Sequence, residues 1–118
     1  MAGDTVVFHN PRCSKSRGAL EILSERGVDP EVVEYLQTPP DRATLERILD
    51  AIPDDAGALV RHDDTFKQLG LSAGDYTERV AVITLLLEHP ELMERPVVFV
   101  GDRAVIARPS EKVLELLD

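Results

Sequence analysis

The sequence predicts an α/β fold in which a four-stranded mixed sheet carries a helical insertion. A strand–helix–strand pattern comes first, several helical patterns fill the middle, and two strands around a short turn precede a final helix. The first unit should be parallel and right-handed, and the last two strands antiparallel. We expect residues 1–118 to form one domain, because no linker, repeat or low-complexity tract divides them.

The first unit begins with the apolar run 5–8, which predicts a buried strand. A helix is predicted from Cys13 or Ser14 to about residue 26. Its inward face is marked by apolar residues at helical spacing, namely Ala19, Leu20, Ile22 and Leu23. Gly27 stands where a glycine commonly ends a helix. Residues 32–35 then predict the second strand.

The middle of the chain predicts a block of helices. Thr38 is a candidate cap for a helix that begins in the Pro-Pro-Asp segment and is marked by Leu45, Ile48, Leu49 and Ile52. Short helices are expected over residues 54–60 and 64–69. Thr77 is the candidate cap of a longer apolar helix that runs to about His89.

The end of the chain returns to strands. Residues 97–100 and 103–106 flank the dipeptide Gly101-Asp102, which predicts a hairpin. A last helix is expected to open at Pro109 or Ser110. This order of elements is the plan of a thioredoxin fold with a helical insertion.

Composition excludes several classes of protein. The formal net charge of −9 argues against general affinity for nucleic acid, which depends on neutralising phosphates. No apolar run is long enough for a membrane span, and no secretory signal is visible at the N-terminus. With one cysteine, we expect a cytoplasmic protein without disulfides. It is expected to be a monomer, since no heptad pattern or long apolar patch indicates a dimer.

The only cysteine, Cys13, lies in the predicted turn between the first strand and the first helix. A helix N-terminus carries free N–H groups and partial positive charge, which stabilise an anion. Basic residues surround the thiol, namely His9, Arg12, Lys15 and Arg17. We therefore interpret Cys13 as a reactive thiolate. The alternative is a small buried hydrophobic residue, the usual state of a free cysteine.

A set of motifs in a fixed order covers nearly the whole chain. It begins at residues 9–17, His-Asn-Pro-Arg-Cys-Ser-Lys-Ser-Arg. It continues with Pro39-Pro40, Leu59-Val60-Arg61, Gln68-Leu69-Gly70-Leu71, Glu88-His89-Pro90, Arg95-Pro96-Val97-Val98 and Arg108-Pro109-Ser110. The chain thereby resembles the glutaredoxin-dependent arsenate reductases, an ArsC-type family with a thioredoxin fold. Each motif is weak alone, but their order and gaps together are specific.

The resemblance implies that Cys13 is the nucleophile and that Arg61, Arg95 and Arg108 hold the oxyanion. This agrees with chemistry, because guanidinium groups bind tetrahedral oxyanions through paired N–H donors. The residues alone leave another interpretation open. Each arginine could instead be an exposed charge at a helix end, in a loop or at a strand end.

Three further residues are carried over from the family pattern. His9 resembles a histidine that tunes the thiol, and a charged His9 would favour ionisation, although it could also be a polar residue at a strand end. Ser16 replaces the second thiol of a Cys-x-x-Cys motif. It is expected to bind thiolate or oxyanion, or to satisfy the backbone of the first helical turn. The bond before Pro96 is expected to be cis, as in thioredoxin folds.

A single cysteine constrains the mechanism. Reducing arsenate to arsenite takes two electrons, whereas one thiol supplies half of a disulfide, so an external thiol is required. The resemblance implies glutathione or an equivalent thiol as co-substrate and a glutaredoxin-like protein partner. No bound cofactor is expected. No metal site is expected either, because the histidines are scattered and one cysteine offers no ligand pair.

Three other functions remain open from the sequence. A general monothiol oxidoreductase or deglutathionylase would use Cys13 without needing the three arginines. A regulator of the Spx type would share the fold and bind RNA polymerase, but Ser16 removes the Cys-x-x-Cys switch that such regulators typically carry. A family member could also act on an oxyanion other than arsenate, since a thiolate and three arginines would bind others.

Overall fold

The computed structural model describes residues 5–117. Its strands are β1 (Thr5–His9), β2 (Glu31–Glu34), β3 (Val97–Val100) and β4 (Arg103–Ile106). Its α-helices are α1 (Ser14–Glu25), α2 (Arg42–Ala51), α3 (Asp64–Gln68) and α4 (Arg79–Glu88). Shorter 3-10 segments lie at Ala56–Leu59, Ala73–Asp75, Pro90–Leu92 and Ser110–Leu116. Among the described residues, no helix is long and apolar enough to cross a membrane.

The four strands form one mixed sheet in the order β2-β1-β3-β4. Strands β1 and β2 are parallel, whereas β3 is antiparallel to both β1 and β4. Helices α2, α3 and α4 and the 3-10 segments between them occupy the chain between β2 and β3. The predicted four-stranded sheet with a helical insertion is therefore confirmed.

Side chains alternate between the two faces of the sheet because successive residues of a strand point in opposite directions. On one face, Val7, Val98 and Val105 pack against α1 and the last 3-10 segment. On the other face, Phe8 and Phe99 pack in the larger core formed with the helical insertion. The sheet is thus covered on both sides, which explains the nearly continuous apolar runs of β1 and β3.

Helix α2 begins later than the sequence indicates. Its N-cap is Asp41, whose side chain accepts a hydrogen bond from the Thr44 backbone N–H at 2.8 Å. The prediction of Thr38 as the cap is wrong. A Thr38 cap would make Pro39 the first helical residue, but Pro39 precedes Pro40, and a residue before proline is disfavoured in the helical region.

Other element bounds also differ from the predicted ones. Strand β2 is Glu31–Glu34, so Tyr35 follows the strand instead of ending it. The N-cap position of helix α4 is Glu78 rather than Thr77, and the Glu78 side chain forms no capping hydrogen bond. The last helix is a 3-10 helix, in which Val113 and Leu116 are buried at the spacing of three residues that this geometry favours.

The sheet brings distant parts of the chain to one edge. Phe8 pairs with Val97, and Val97 pairs with Ile106, so β1 ends where β3 begins and where β4 ends. The segments that follow β1, precede β3 and follow β4 therefore meet there. These segments contain Cys13, Arg95 and Arg108, which are far apart in the sequence.

Replacing Leu23 by alanine should destabilise the fold strongly. Leu23 is 0% exposed in the core beneath α1, so truncation leaves a cavity that costs ~2–5 kcal/mol of unfolding free energy. The matched control is Leu36→Ala at a side chain that is 48% exposed, which should change that free energy by less than ~0.5 kcal/mol. Urea unfolding measures both variants, and equal effects would contradict the assignment of this core.

Candidate active site

Cys13 is the N-cap residue of α1. Its backbone is extended, with φ −94° and ψ 122°, while its carbonyl already accepts a hydrogen bond from the Arg17 N–H at 3.0 Å. Its own N–H donates to the Asn10 carbonyl at 3.0 Å, which closes the turn after β1. The thiol therefore lies over the free N–H groups of the first helical turn, as the sequence predicts.

The pKa of Cys13 is lowered, although the thiol is partly buried. Burial by itself raises the pKa, because it disfavours the charged form. Hydrogen bonding from the Ser16 N–H, the Arg95 side chain, the Lys15 N–H and the Arg108 side chain outweighs it. The helix N-terminus and two side chains from elsewhere in the chain together favour the thiolate.

Arg108 contacts the thiol directly. Its Nη1 lies 3.7 Å from Cys13 Sγ and donates a hydrogen bond to the Arg95 carbonyl at 2.9 Å. The Arg95–Pro96 peptide bond is cis, which confirms that prediction, and the Arg108–Pro109 bond is cis as well. Arg108 thus links the segment before β3 to the thiol.

Arg95 is half-buried beside the same thiol. Its side chain favours the ionised form of Cys13. Its Nε is buried, and within residues 5–117 no group forms a hydrogen bond with that atom. A buried guanidinium donor without a hydrogen-bond partner costs free energy, so Arg95 is held beside the thiol at the expense of an unsatisfied donor.

Arg61 lies on the far side of this cluster, where carboxylates surround it. Its Nη1 is 3.1 Å from Glu94 Oε1, and its Nε is 3.2 Å from Asp63 Oδ2. Burial opposes the charge of Arg61, but Glu94 and Asp63 outweigh it and raise its pKa. The same Glu94 oxygen lies 3.9 Å from Arg108 Nε. The structure thus connects Arg61 to the thiol through Glu94 and Arg108.

The side chains of His9 and Ser16 are buried next to the loop between β1 and α1. Ser16 is 0% exposed, and its Oγ accepts a hydrogen bond from the Asn10 N–H and lies 3.0 Å from His9 Nδ1. The expectation that the Ser16 side chain binds substrate is therefore corrected, because its hydroxyl is buried and engaged. Its backbone N–H, in contrast, serves the thiol.

The expectation of a charged His9 is corrected as well. Burial lowers the pKa of His9, and Arg17 adds to this effect while Glu34 opposes it. The neutral ring is therefore favoured near pH 7, since an unperturbed histidine already titrates below that pH. The contact that the structure gives His9 in this loop is with Ser16 Oγ, and His9 is not among the groups that lower the pKa of Cys13.

Tyr35, Asp63 and Glu94 are parts of the site that the sequence interpretation missed. Tyr35 is 0% exposed, and its hydroxyl has no hydrogen-bond partner in the part of the chain that the structure describes. Burial raises its pKa, and the nearby charge of Arg95 partly opposes that shift. Tyr35 follows β2 as Asn10 follows β1, and the two strands are parallel, which explains its position. For Glu94, the available signal was a carboxylate directly before a predicted oxyanion-binding arginine.

A separate cleft of about 660 Å³ lies in the helical insertion, lined in part by Asp55, His62 and Tyr76. None of the predicted site residues lines it. Within residues 5–117, no three or more His, Cys, Asp or Glu side chains are grouped to hold a metal ion. The chemistry that the structure offers near the thiol comes from guanidinium groups, helix N–H groups and carboxylates.

The mixed four-stranded sheet, a thiol at a helix N-terminus and the cis bond before Pro96 together are typical of a thioredoxin-like protein. The model of the ArsC family matches residues 8–116, and the chain belongs to that family. It is 44% identical over 119 residues to an Escherichia coli K12 protein described as "Uncharacterized protein YfgD", with 99% of each chain covered. It is 42% identical over 113 residues to the arsenate reductase of Neisseria meningitidis serogroup B, covering 94% of this chain and 96% of that one.

The solved structures agree with this assignment. The structure named as the arsenate reductase from Vibrio cholerae has a TM-score of 0.85 and 37% identity. The match covers 95% of this chain and 96% of that chain. The sequence-based recognition of an ArsC-type, thioredoxin-like fold is therefore confirmed.

Alkylation of Cys13 should show a pH midpoint below about 8.5, the value of an unperturbed cysteine. The thiolate reacts, and its lowered pKa means that this form is already populated at lower pH. Arg95→Gln should move the midpoint upward, because it removes a group that favours the thiolate. Arg12→Gln removes the same charge from an exposed neighbour and should leave the midpoint in place. The iodoacetamide rate measured against pH tests this, and equal midpoints in all three proteins would contradict it.

Ser16→Ala should lower the free energy of unfolding by ~1–3 kcal/mol. It leaves the Asn10 N–H and His9 Nδ1 without their buried partner. Ser24→Ala is the matched control, since Ser24 is an exposed serine on the same helix and its loss should cost less than ~0.5 kcal/mol. Chemical denaturation compares the two, and a Ser16 variant as stable as the control would refute the supporting role.

Proposed function

We propose that this protein is an arsenate reductase in which the Cys13 thiolate is the nucleophile. The observation that carries the proposal is the meeting of a thiol of lowered pKa with Arg95 and Arg108 at one helix N-terminus. Family membership and the relatives named arsenate reductases supply the substrate class. Arsenate is a tetrahedral oxyanion, and this combination neutralises its charge while a thiolate approaches.

Arg95 and Arg108 are the proposed primary contacts of the oxyanion. Arg108 already lies 3.7 Å from the thiol, and the Arg95 side chain also stabilises the thiolate by hydrogen bonding. Arg61 would join them from its position against Glu94. The Ser16 and Lys15 N–H groups would complete the set of donors that stabilise negative charge as the thiolate attacks.

The proposed reaction has three steps. Cys13 Sγ forms a bond to arsenic, and an arsenate oxygen leaves as water after taking up protons. The thiolate of glutathione, or of an equivalent small thiol, then attacks Cys13 Sγ. The electron pair of the S–As bond remains on arsenic, which is reduced by two electrons and leaves as arsenite. The two thiols have become a mixed disulfide, which a glutaredoxin-like protein reduces to restore Cys13.

Two features support the need for an external thiol. Cys13 is the only cysteine in the 118-residue sequence, so no internal thiol can resolve the adduct. The thiol is also partly exposed, so a small thiol can reach its sulfur. Such chemistry requires a reducing compartment, and we place the protein in the cytoplasm on this basis.

Arsenate reduction coupled to glutathione and glutaredoxin should be abolished in Cys13→Ser. In Arg95→Ala it should fall by about 10²-fold in kcat/KM, the typical cost of removing one donor that stabilises charge in the transition state. The matched control is Arg12→Ala, an exposed arginine one residue before the nucleophile, which should retain activity.

A second assay on the same proteins distinguishes an arsenate reductase from the alternative function, a general deglutathionylase. Reduction of a glutathionylated peptide uses the thiol without an oxyanion, so a general deglutathionylase would keep that activity in Arg95→Ala. Turnover of the peptide without turnover of arsenate in the wild type would overturn the proposed function. Full arsenate reduction by Cys13→Ser would overturn the proposed nucleophile.

A further inference from the structure

The carboxylate of Glu94 lies among the arginines that are proposed to bind the oxyanion. Glu94 Oε1 is 3.1 Å from Arg61 Nη1 and 3.9 Å from Arg108 Nε. Arg108 in turn places Nη1 3.7 Å from the Cys13 sulfur. One guanidinium group therefore separates the Glu94 carboxylate from the nucleophile.

This carboxylate is accessible to a ligand. The Glu94 side chain is 23% exposed, and those of Arg61 and Arg108 are 25% and 29% exposed. An oxyanion bound to both arginines would therefore meet Glu94 as well. A carboxylate would only weaken a site that selected its ligand by negative charge alone, since like charges repel at short range.

A carboxylate accepts hydrogen bonds and has none to donate. It stabilises an oxyanion that carries an acidic O–H, through a short charge-assisted O–H···O hydrogen bond. It repels an oxyanion without a proton. Arsenate and phosphate keep at least one proton at neutral pH, whereas sulfate keeps none.

We propose that Glu94 is a specificity-determining residue that selects protonated tetrahedral oxyanions and rejects fully ionised ones such as sulfate. The inference rests on the proposed function, because it assigns Glu94 to the same oxyanion site. Glu94 would distinguish oxyanions by whether they carry a proton, which arginines alone do not do. Sites that hydrogen-bond a substrate O–H discriminate strongly against analogues that lack it, because the site group is then left unpaired.

Two other roles of Glu94 make different predictions. If Glu94 only positioned Arg61, its loss would weaken the binding of every oxyanion alike. If Glu94 only competed with the oxyanion for the arginines, its loss would strengthen the binding of every oxyanion alike. Selection by the Glu94 carboxylate, through hydrogen bonding to one anion and repulsion of the other, instead changes the ratio between their affinities.

The test uses phosphate and sulfate, which match arsenate in shape and do not oxidise the thiol. Each anion is titrated at pH 7 and constant ionic strength while the rate of iodoacetamide alkylation is measured. Since Cys13 is the only cysteine, protection from alkylation reports on this site alone. The apparent Kd of each anion is taken relative to the unprotected rate of the same variant.

Wild-type protein should prefer phosphate to sulfate by about tenfold or more, the effect of one unpaired or repelled charged group. Glu94→Gln keeps the shape, removes the charge and supplies an N–H donor, so the preference should fall by about tenfold. Glu88→Gln is the matched control, because it removes one exposed acidic charge near the end of α4 and should leave the preference unchanged.

Each remaining outcome contradicts the inference. An equal change of both dissociation constants in Glu94→Gln assigns a positioning or competing role instead. Equal affinity for both anions in the wild type, or protection by neither, removes the selectivity itself. The assay needs no turnover, so selective protection in a protein that fails to reduce arsenate would overturn the proposed function and leave this inference standing.

Discussion

The site depends on two opposing effects on the pKa of Cys13, namely burial of the thiol and the hydrogen-bond donors that surround it. Burial opposes the thiolate, and the N–H groups of Lys15 and Ser16 together with Arg95 and Arg108 reverse that preference. Neither set of donors works without the fold. The N–H groups are free only because Cys13 is the N-cap of α1, and the arginines lie there only because β3 begins and β4 ends at the same edge of the sheet.

The charges around the thiol form a chain rather than a simple basic pocket. Cys13 contacts Arg108, Arg108 approaches Glu94, and Glu94 pairs with Arg61, which also pairs with Asp63. Alternating charges keep several guanidinium groups close together without strong mutual repulsion. In an acidic protein, this arrangement places Arg108 against the nucleophile and the Glu94 carboxylate on the other side of that guanidinium group.

The parts of the site that were predictable are those that follow from local pattern or from the family motifs. The turn from β1 into α1 follows from an apolar strand and a helical repeat on either side of Cys13, and the structure has both. Arg108 and Arg95 were chosen by motif, and the structure brings both to the thiol. The charge state of His9 was not predictable, because burial sets it and burial comes from packing. Ser16 was assigned to the substrate for the same reason, since its sequence position does not reveal that its hydroxyl is enclosed.

By itself, the sequence determined the order of strands and helices and the place of Cys13 in the turn between β1 and α1. These properties depend on periodicity over a few residues. The tertiary structure alone decided which charges meet. Glu94 pairs with Arg61 across 33 residues of chain, and Arg108 reaches Cys13 across 95. Such pairings depend on sheet register and on burial, and no local pattern encodes them, because electrostatic energy depends on distance in space and on exclusion of water.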